Sequence, residues 1–190
     1  GLKVLLCEMN DLASATSSSS SKLIHGGLRY LEHYEFRLVR EALAERESLL
    51  RNSPHIMWPM RFRLPHRPHL RPAWMIRTGL FLYDHLAKRE ILPGSRSIKF
   101  DEKDPLKPDI TKGFEYSDGW VDDARLVVLT AKKAQQFGAQ ILTRTKCVRA
   151  EQGSKEWTVT LRDMTNETEK TVSAKAIVNA SGPWVSKLFG

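Results

Sequence analysis

The sequence predicts a chain of mixed α/β and α+β class, and three observations predict it. Residues 1–7 form a short apolar run that stops at an acid, Glu8, as a buried parallel strand does. Residues 36–52 repeat apolar side chains at helical spacing, and residues 157–161 alternate Trp, Thr, Val, Thr, Leu with the period of two that marks a strand.

Taken in order, the run 1–7 is the first strand, and an acid at the end of such a strand is placed to accept hydrogen bonds from a ribose. A block of hydroxyls, Thr16 to Ser21, then leads to Lys22, His25, the pair Gly26-Gly27, Arg29 and Tyr30. Adjacent glycines let a backbone approach a ligand closely. The hydroxyls, lysine and imidazole are donors, and Arg29 adds a planar fork suited to a phosphate or carboxylate. A Ser-rich linker ending in a turn is the plainer alternative.

The helix at 36–52 has Leu38, Ala42, Leu43, Leu49 and Leu50 as its apolar positions and Glu41, Glu45, Arg46 and Glu47 as its solvated side, and Ser53-Pro54 stops it. Residues 56–64 turn extended, with Met60, Phe62 and Leu64 alternating against Arg61 and Arg63. After an arginine-, histidine- and proline-rich stretch, a helix over 73–88 carries Trp74, Met75, Ile76, Leu80, Phe81, Leu82, Tyr83 and Leu86 around most of its circumference. It is either buried on nearly all sides or lies in a membrane interface. Residues 91–120 read as connecting loops, with a strand and turn over 114–121. Asp122 or Asp123 caps a helix over 124–137, which Gly138 ends. Strands over 140–150 and 157–161, a polar turn over 164–170 and a returning strand over 173–180 follow. Pro183 then sits at the first position of a new helix. A strand, a glycine turn and a helix start make a ligand-facing edge of a parallel sheet.

At 190 residues the chain is one large domain or two small ones, and its 41% hydrophobic and 27% charged content places it among soluble globular proteins. Two cysteines, Cys7 and Cys147, make no disulfide framework and point to a reducing compartment. No Cys/His cluster suggests a metal, no signal peptide is evident, and no apolar run reaches the ~18–20 residues that span a bilayer. Residues 51–100 hold ten Lys/Arg and two acids, a surplus equal to the net +8 of the whole chain. Basicity confined to one region, beside tryptophan and an over-apolar helix, favours an anionic membrane surface, met through residues 61–89. A core helix beside a solvated basic loop is the structural alternative. Nucleic acid is not expected, because no recognised nucleic-acid motif is present.

Four segments resemble, in order, the FAD-dependent glycerol-3-phosphate dehydrogenases. They are residues 11–32, Met60-Arg-Phe-Arg-Leu-Pro-His-Arg-Pro-His-Leu-Arg-Pro-Ala-Trp74, residues 113–126 and Val178-Asn-Ala-Ser-Gly-Pro-Trp184. The resemblance implies a partial FAD-binding Rossmann-like domain, of glutathione-reductase/amino-acid-oxidase type, with an inserted substrate- and membrane-facing region. Residues 1–55 and 122–190 would belong to the FAD-binding domain and 56–121 to the substrate domain. It further implies oxidation of sn-glycerol 3-phosphate by hydride transfer to FAD, electrons leaving to a membrane quinone, and a cytoplasmic protein peripheral on the inner face of the plasma membrane. Full-length members are expected to be homo-oligomers.

The family's first strand and Gly-x-Gly-x-x-Gly turn have no counterpart before Gly1, so the chain resembles an interior fragment expected to be inactive alone. Carried over by position, Glu8 binds the adenosine ribose. Thr16, Ser17, Ser18, Lys22, His25, Gly26 and Gly27 line the FAD, Val148 offers backbone near the adenine, and Ser181 and Gly182 sit against the cofactor. Arg29, Tyr30 and His25 are the candidate catalytic residues, without an assigned general base. The rivals are a soluble glycerol-phosphate oxidase, another flavoenzyme of the amino-acid-oxidase group, and a basic membrane- or nucleic-acid-binding module that is no enzyme.

Overall fold

Along the chain run β1 (Leu5–Cys7), β2 (Leu23–Ile24), α1 (Phe36–Asn52), β3 (Met57–His66), α2 (Ala73–His85), β4 (Arg96–Lys99), β5 (Lys112–Val121), α3 (Asp123–Gln136), β6 (Gln140–Leu142), β7 (Thr145–Gln152), β8 (Trp157–Asp163) and β9 (Glu169–Ala174). Short 3₁₀ helices lie at Thr16–Ser18, Leu28–His33 and Gly182–Lys187. The structure, a computed structural model, describes residues 1–67, 69 and 71–187. Pro68 and Leu70 of the arginine-proline stretch lie outside the described residues. The elements form two compact units, Gly1–Ser19 with Asp123–Gly190, and Ser20–Asp122, so that residues 20–55 fold with residues 56–122.

In the first unit β1 and β6 pair in parallel, Leu5 opposite Gln140 and Cys7 opposite Leu142. The parallel pairing is as expected, but the burial is not. Leu2, Val4, Leu5 and Leu6 are exposed, and among the described residues β1 pairs with β6 alone. β7, β8 and β9 form a separate antiparallel meander around buried Val159 and Leu161. The single strand expected over 140–150 is therefore two strands in two sheets, divided at Arg144, whose φ of 50° turns the backbone sharply. The turn after β8 is shorter than expected, since Glu169 and Lys170 already belong to β9. The strand expected over 173–180 ends at Ala174. Residues 176–180 pair with no strand among the described residues, and Val178 is exposed.

In the second unit β5 is the central strand. β3 pairs along its full length, from Met57 opposite Val121 to His66 opposite Lys112, and β2 and β4 share its other edge. Two expectations are corrected here. Residues 96–99 are a strand rather than loop, and Asp118-Gly119 continues β5 rather than turning. A β-carbon at Gly119 would overlap Met57 Cε, so this glycine answers a close approach within the sheet and not a turn.

α1 begins and ends where expected, but its buried face is rotated. Val39, Leu43, Arg46, Glu47 and Leu50 are buried while Leu38 is exposed. Arg46 and Glu47, assigned to solvent from their charge, lie inside. Glu47 accepts the backbone N–H groups of Glu90 (3.3 Å) and Ile91 (2.9 Å), and Arg46 is bound by Asp118 and Tyr83. α2 buries only Leu80 and Tyr83, leaving Trp74, Met75, Phe81 and Leu82 exposed. It is a half-buried helix, not one enclosed on all sides. No helix of the described residues is long and apolar enough to cross a membrane.

Candidate functional site

The pairing of β2 with β5 sets the geometry. Leu23 lies opposite Trp120 and Ile24 opposite Gly119, so the next antiparallel step brings His25 to Asp118. His25 Nδ1 is 3.3 Å from Asp118 Oδ2, with 54% of the imidazole side chain exposed against 2% of the carboxylate. A carboxylate only accepts, so the hydrogen shared with Asp118 is on Nδ1, and Nε2 is the ring nitrogen not engaged by that carboxylate.

The other oxygen of Asp118 faces inward. Oδ1 accepts from Arg46 Nη1 at 2.5 Å, from the Tyr83 hydroxyl at 2.8 Å and from the Gly26 N–H at 3.1 Å. Tyr83 Oη in turn accepts from Arg46 Nη1 (2.8 Å) and the Gly26 N–H (2.9 Å). Burial, and then the Asp118 charge, push the Tyr83 phenol well above its ordinary pKa, which keeps it a hydroxyl donor. Among the described residues Arg46 Nε is buried without a hydrogen bond. Buried charges of this kind persist when paired and hydrogen-bonded, and removing one partner of such a pair costs about 3–5 kcal/mol.

After Gly26 the chain turns outward. Gly27, at φ 79°, precedes the 3₁₀ helix that carries Arg29 and Tyr30, both exposed. Arg29 is exposed and near enough to Glu32 to add, after the hydrogen bond from Arg71, to the lowering of that carboxyl's pKa, and its exposed guanidinium fork suits an anionic ligand. Lys22, at φ 60°, donates its N–H to Ser20 Oγ at 3.0 Å. His25, Gly26, Gly27, Arg29 and Tyr30 thus lie on one continuous segment, anchored at His25 and Gly26 by Asp118 and Tyr83.

The remaining candidates lie in the first unit. Glu8 follows the carboxyl end of β1, where its N–H donates to Leu142 O (2.8 Å) and its Oε1 accepts the Asn10 N–H (2.9 Å). Thr16, Ser17 and Ser18 form a 3₁₀ turn against α3, with the Ser18 hydroxyl donating to Ala13 O. Val148 is the extra residue of a bulge, since Cys147 pairs with Leu161 and Arg149 with Thr160. A bulge takes a residue's backbone out of the ladder and re-aims it. Ser181 donates its N–H (3.1 Å) and hydroxyl (2.7 Å) to Asn179 Oδ1, and Gly182 has φ 55°.

Sequence reasoning did not single out Asp118, Tyr83 and Arg46. A signal for Arg46 was present. It stands three residues after Leu43 and four before Leu50, on the stripe of the helix that faces the core.

A family model of FAD-dependent oxidoreductases matches residues 1–190, and the chain belongs to that family. It is similar to the glycerol-3-phosphate dehydrogenase of Pseudomonas tolaasii, 65% identical over 189 residues that cover 100% of this chain and 37% of the relative. It is 58% identical to the D-erythritol 1-phosphate dehydrogenase of Brucella abortus (strain 2308), covering 100% of this chain and 38% of that protein. Among solved structures it is similar to the FAD complex of the glycerol-3-phosphate dehydrogenase from Bacillus halodurans. That match has a TM-score of 0.67 and 30% identity, and covers 99% of this chain and 31% of the other. The chain thus spans about a third of the length of these relatives. The cofactor of the family is FAD. The residues present suit it, with an acid at the carboxyl end of a parallel strand and a bulge that frees the backbone at Val148.

Proposed function

We propose that this chain supplies the cofactor- and substrate-contacting loops of an enzyme that oxidises sn-glycerol 3-phosphate to dihydroxyacetone phosphate, with electrons passing to a membrane quinone. The observation that carries the reading is the segment 22–30, which offers an imidazole held by a buried carboxylate and, four residues on, an exposed guanidinium. The relatives named glycerol-3-phosphate dehydrogenase support it. Because the chain covers 37% of such a relative, turnover is assigned to the full-length protein and not to these residues alone.

In the first unit Glu8 would hold the adenosine ribose, Thr16, Ser17 and Ser18 the phosphates, Val148 the adenine end, and Ser181 and Gly182 the flank of the cofactor. By the resemblance, Lys22, Gly26 and Gly27 would also line FAD. FAD supplies the two-electron hydride acceptor when bound. His25 Nε2 takes the proton from the hydroxyl at the carbon that becomes the ketone. Arg29 binds the phosphate dianion through a charge-assisted pair contributing roughly 1.5–3 kcal/mol. Tyr30 donates its phenol hydroxyl to the same ligand.

The protein would work on the inner face of the plasma membrane, held there peripherally. Arg61, Arg63, Arg71, Arg77 and Arg89, all first counted toward that surface, are engaged elsewhere. Arg61 binds Glu115 (2.6 Å) and Ser117 (2.6 Å), and Arg89 binds Asp84. The exposed apolar face of α2 and the exposed Arg67 are the better candidates for contact.

Anaerobic mixing of the full-length, FAD-loaded protein with sn-glycerol 3-phosphate tests the reading. The expected result is rapid loss of the oxidised-flavin absorbance, restored by a quinone analogue. Faster reduction by D-erythritol 1-phosphate would move the substrate to a longer polyol phosphate. Reduction by an amino acid alone would overturn the proposal.

A further inference from the structure

We infer that Asp118 is a positioning residue for His25, fixing which imidazole nitrogen carries the hydrogen and where the ring points. This rests on the proposed role of His25 as the proton acceptor, and it goes further by naming the group that makes His25 competent. The argument is the asymmetry of the carboxylate. Oδ1 takes three donors from inside the fold, namely Arg46, Tyr83 and Gly26, whereas the partner of Oδ2 is the half-exposed imidazole. A buried carboxylate–guanidinium pair is a poor device for stability alone, since apolar side chains of similar volume often serve as well or better. A pair that pins one oxygen from three sides and leaves the other toward a surface histidine instead orients that histidine. The hydrogen shared with Asp118 sits on Nδ1, which leaves Nε2 as the nitrogen to act as the base. A third group that orients a base in this way recurs in acid–base sites. Arg46 and Tyr83 act one step further back, on the carboxylate, and Gly26 ties the same oxygen to the backbone next to His25.

The test uses the full-length, FAD-loaded protein labelled with ¹⁵N-histidine. The wild-type spectrum is expected to show His25 as the Nδ1–H tautomer, and a dominant Nε2–H form would overturn the inference without any variant. Asp118→Asn is expected to mix the tautomers and lower kcat about ten- to hundredfold with little change in KM. Asp118→Glu, which keeps the charge and serves should the asparagine variant not fold, is expected to restore the Nδ1–H form and most of kcat. An unchanged tautomer in Asp118→Asn would overturn the positioning role. A changed tautomer with undiminished kcat would instead overturn His25 as the proton acceptor, which separates the two failures.

Discussion

At Gly26 a β-carbon would overlap Leu43 Cδ2 and Tyr83 Oη and stand 2.8 Å from Tyr83 Cζ. The glycine pair was read as clearance for a ligand, but at Gly26 the atoms that press closest are the protein's own. Gly26→Ala therefore forces Leu43 or Tyr83 aside, and overpacking of that kind costs about 1–3 kcal/mol. Urea unfolding of the variant would show the loss, whereas a glycine kept only for a ligand's sake would leave the midpoint in place. The loop chemistry was legible because His25, Arg29 and Tyr30 declare it by residue type. Asp118 was hidden because Asp-Gly is a turn signal. Only the β3–β5 pairing shows that the dipeptide stays in the strand, where Gly119 makes room for Met57.

Elements show the same division between what a local pattern carries and what needs a partner. The ends of α1 and α3 follow from Ser53-Pro54 and Gly138, breakers that act within their own segment. The burial of α1 does not, because Arg46 enters the core only against a carboxylate 72 positions away. β4 was missed for a like reason. Residues 96–99 have no strand pattern of their own, and Arg96 pairs with Glu115 across the sheet. There Arg61, Arg63 and Arg96 surround Glu115, at 2.6, 3.5 and 2.9 Å. The hydrogen bond from Arg61 and then that from Arg96 hold its carboxyl below the ordinary value of 4.5, against the opposing effect of burial. A carboxyl depressed in the folded state contributes stability that is present above pH 4.5 and lost as pH falls through the folded value. Glu115→Gln should therefore lower stability at neutral pH by about 1–3 kcal/mol and flatten the loss on acidification below pH 4.5. Thermal melts across that range check both halves. A variant as acid-sensitive as the wild type would show that other carboxyls govern the transition.

Across the whole molecule the charge is regional, and the structure says how much of it is available. Of the ten cations in residues 51–100, Arg61, Arg63 and Arg96 converge on Glu115, Arg89 on Asp84, and Arg51 and Lys88 on Glu90. Charge alone is thus a weaker argument for a lipid surface than the count suggests. The apolar argument is stronger. Trp74 is 68% and Phe81 51% exposed, with Met75 and Leu82 also exposed, and these positions share one side of α2, opposite buried Leu80 and Tyr83. A tryptophan and phenylalanine on one helix face, next to exposed arginine, suit a leaflet interface. The sequence showed that α2 was over-apolar, but not which side stays bare, because that depends on α1 and on the 3₁₀ helix that carries Arg29. The full-length protein should sediment with phosphatidylglycerol vesicles. Trp74→Ala with Phe81→Ala should weaken the partition about tenfold or more, each aromatic ring contributing on the order of 1.5–3 kcal/mol when fully buried. Salt should weaken the remaining attraction, as it does for polybasic segments. If the double variant sediments as the wild type does, α2 is not the membrane contact; if salt alone abolishes binding, the arginines outweigh the aromatic face.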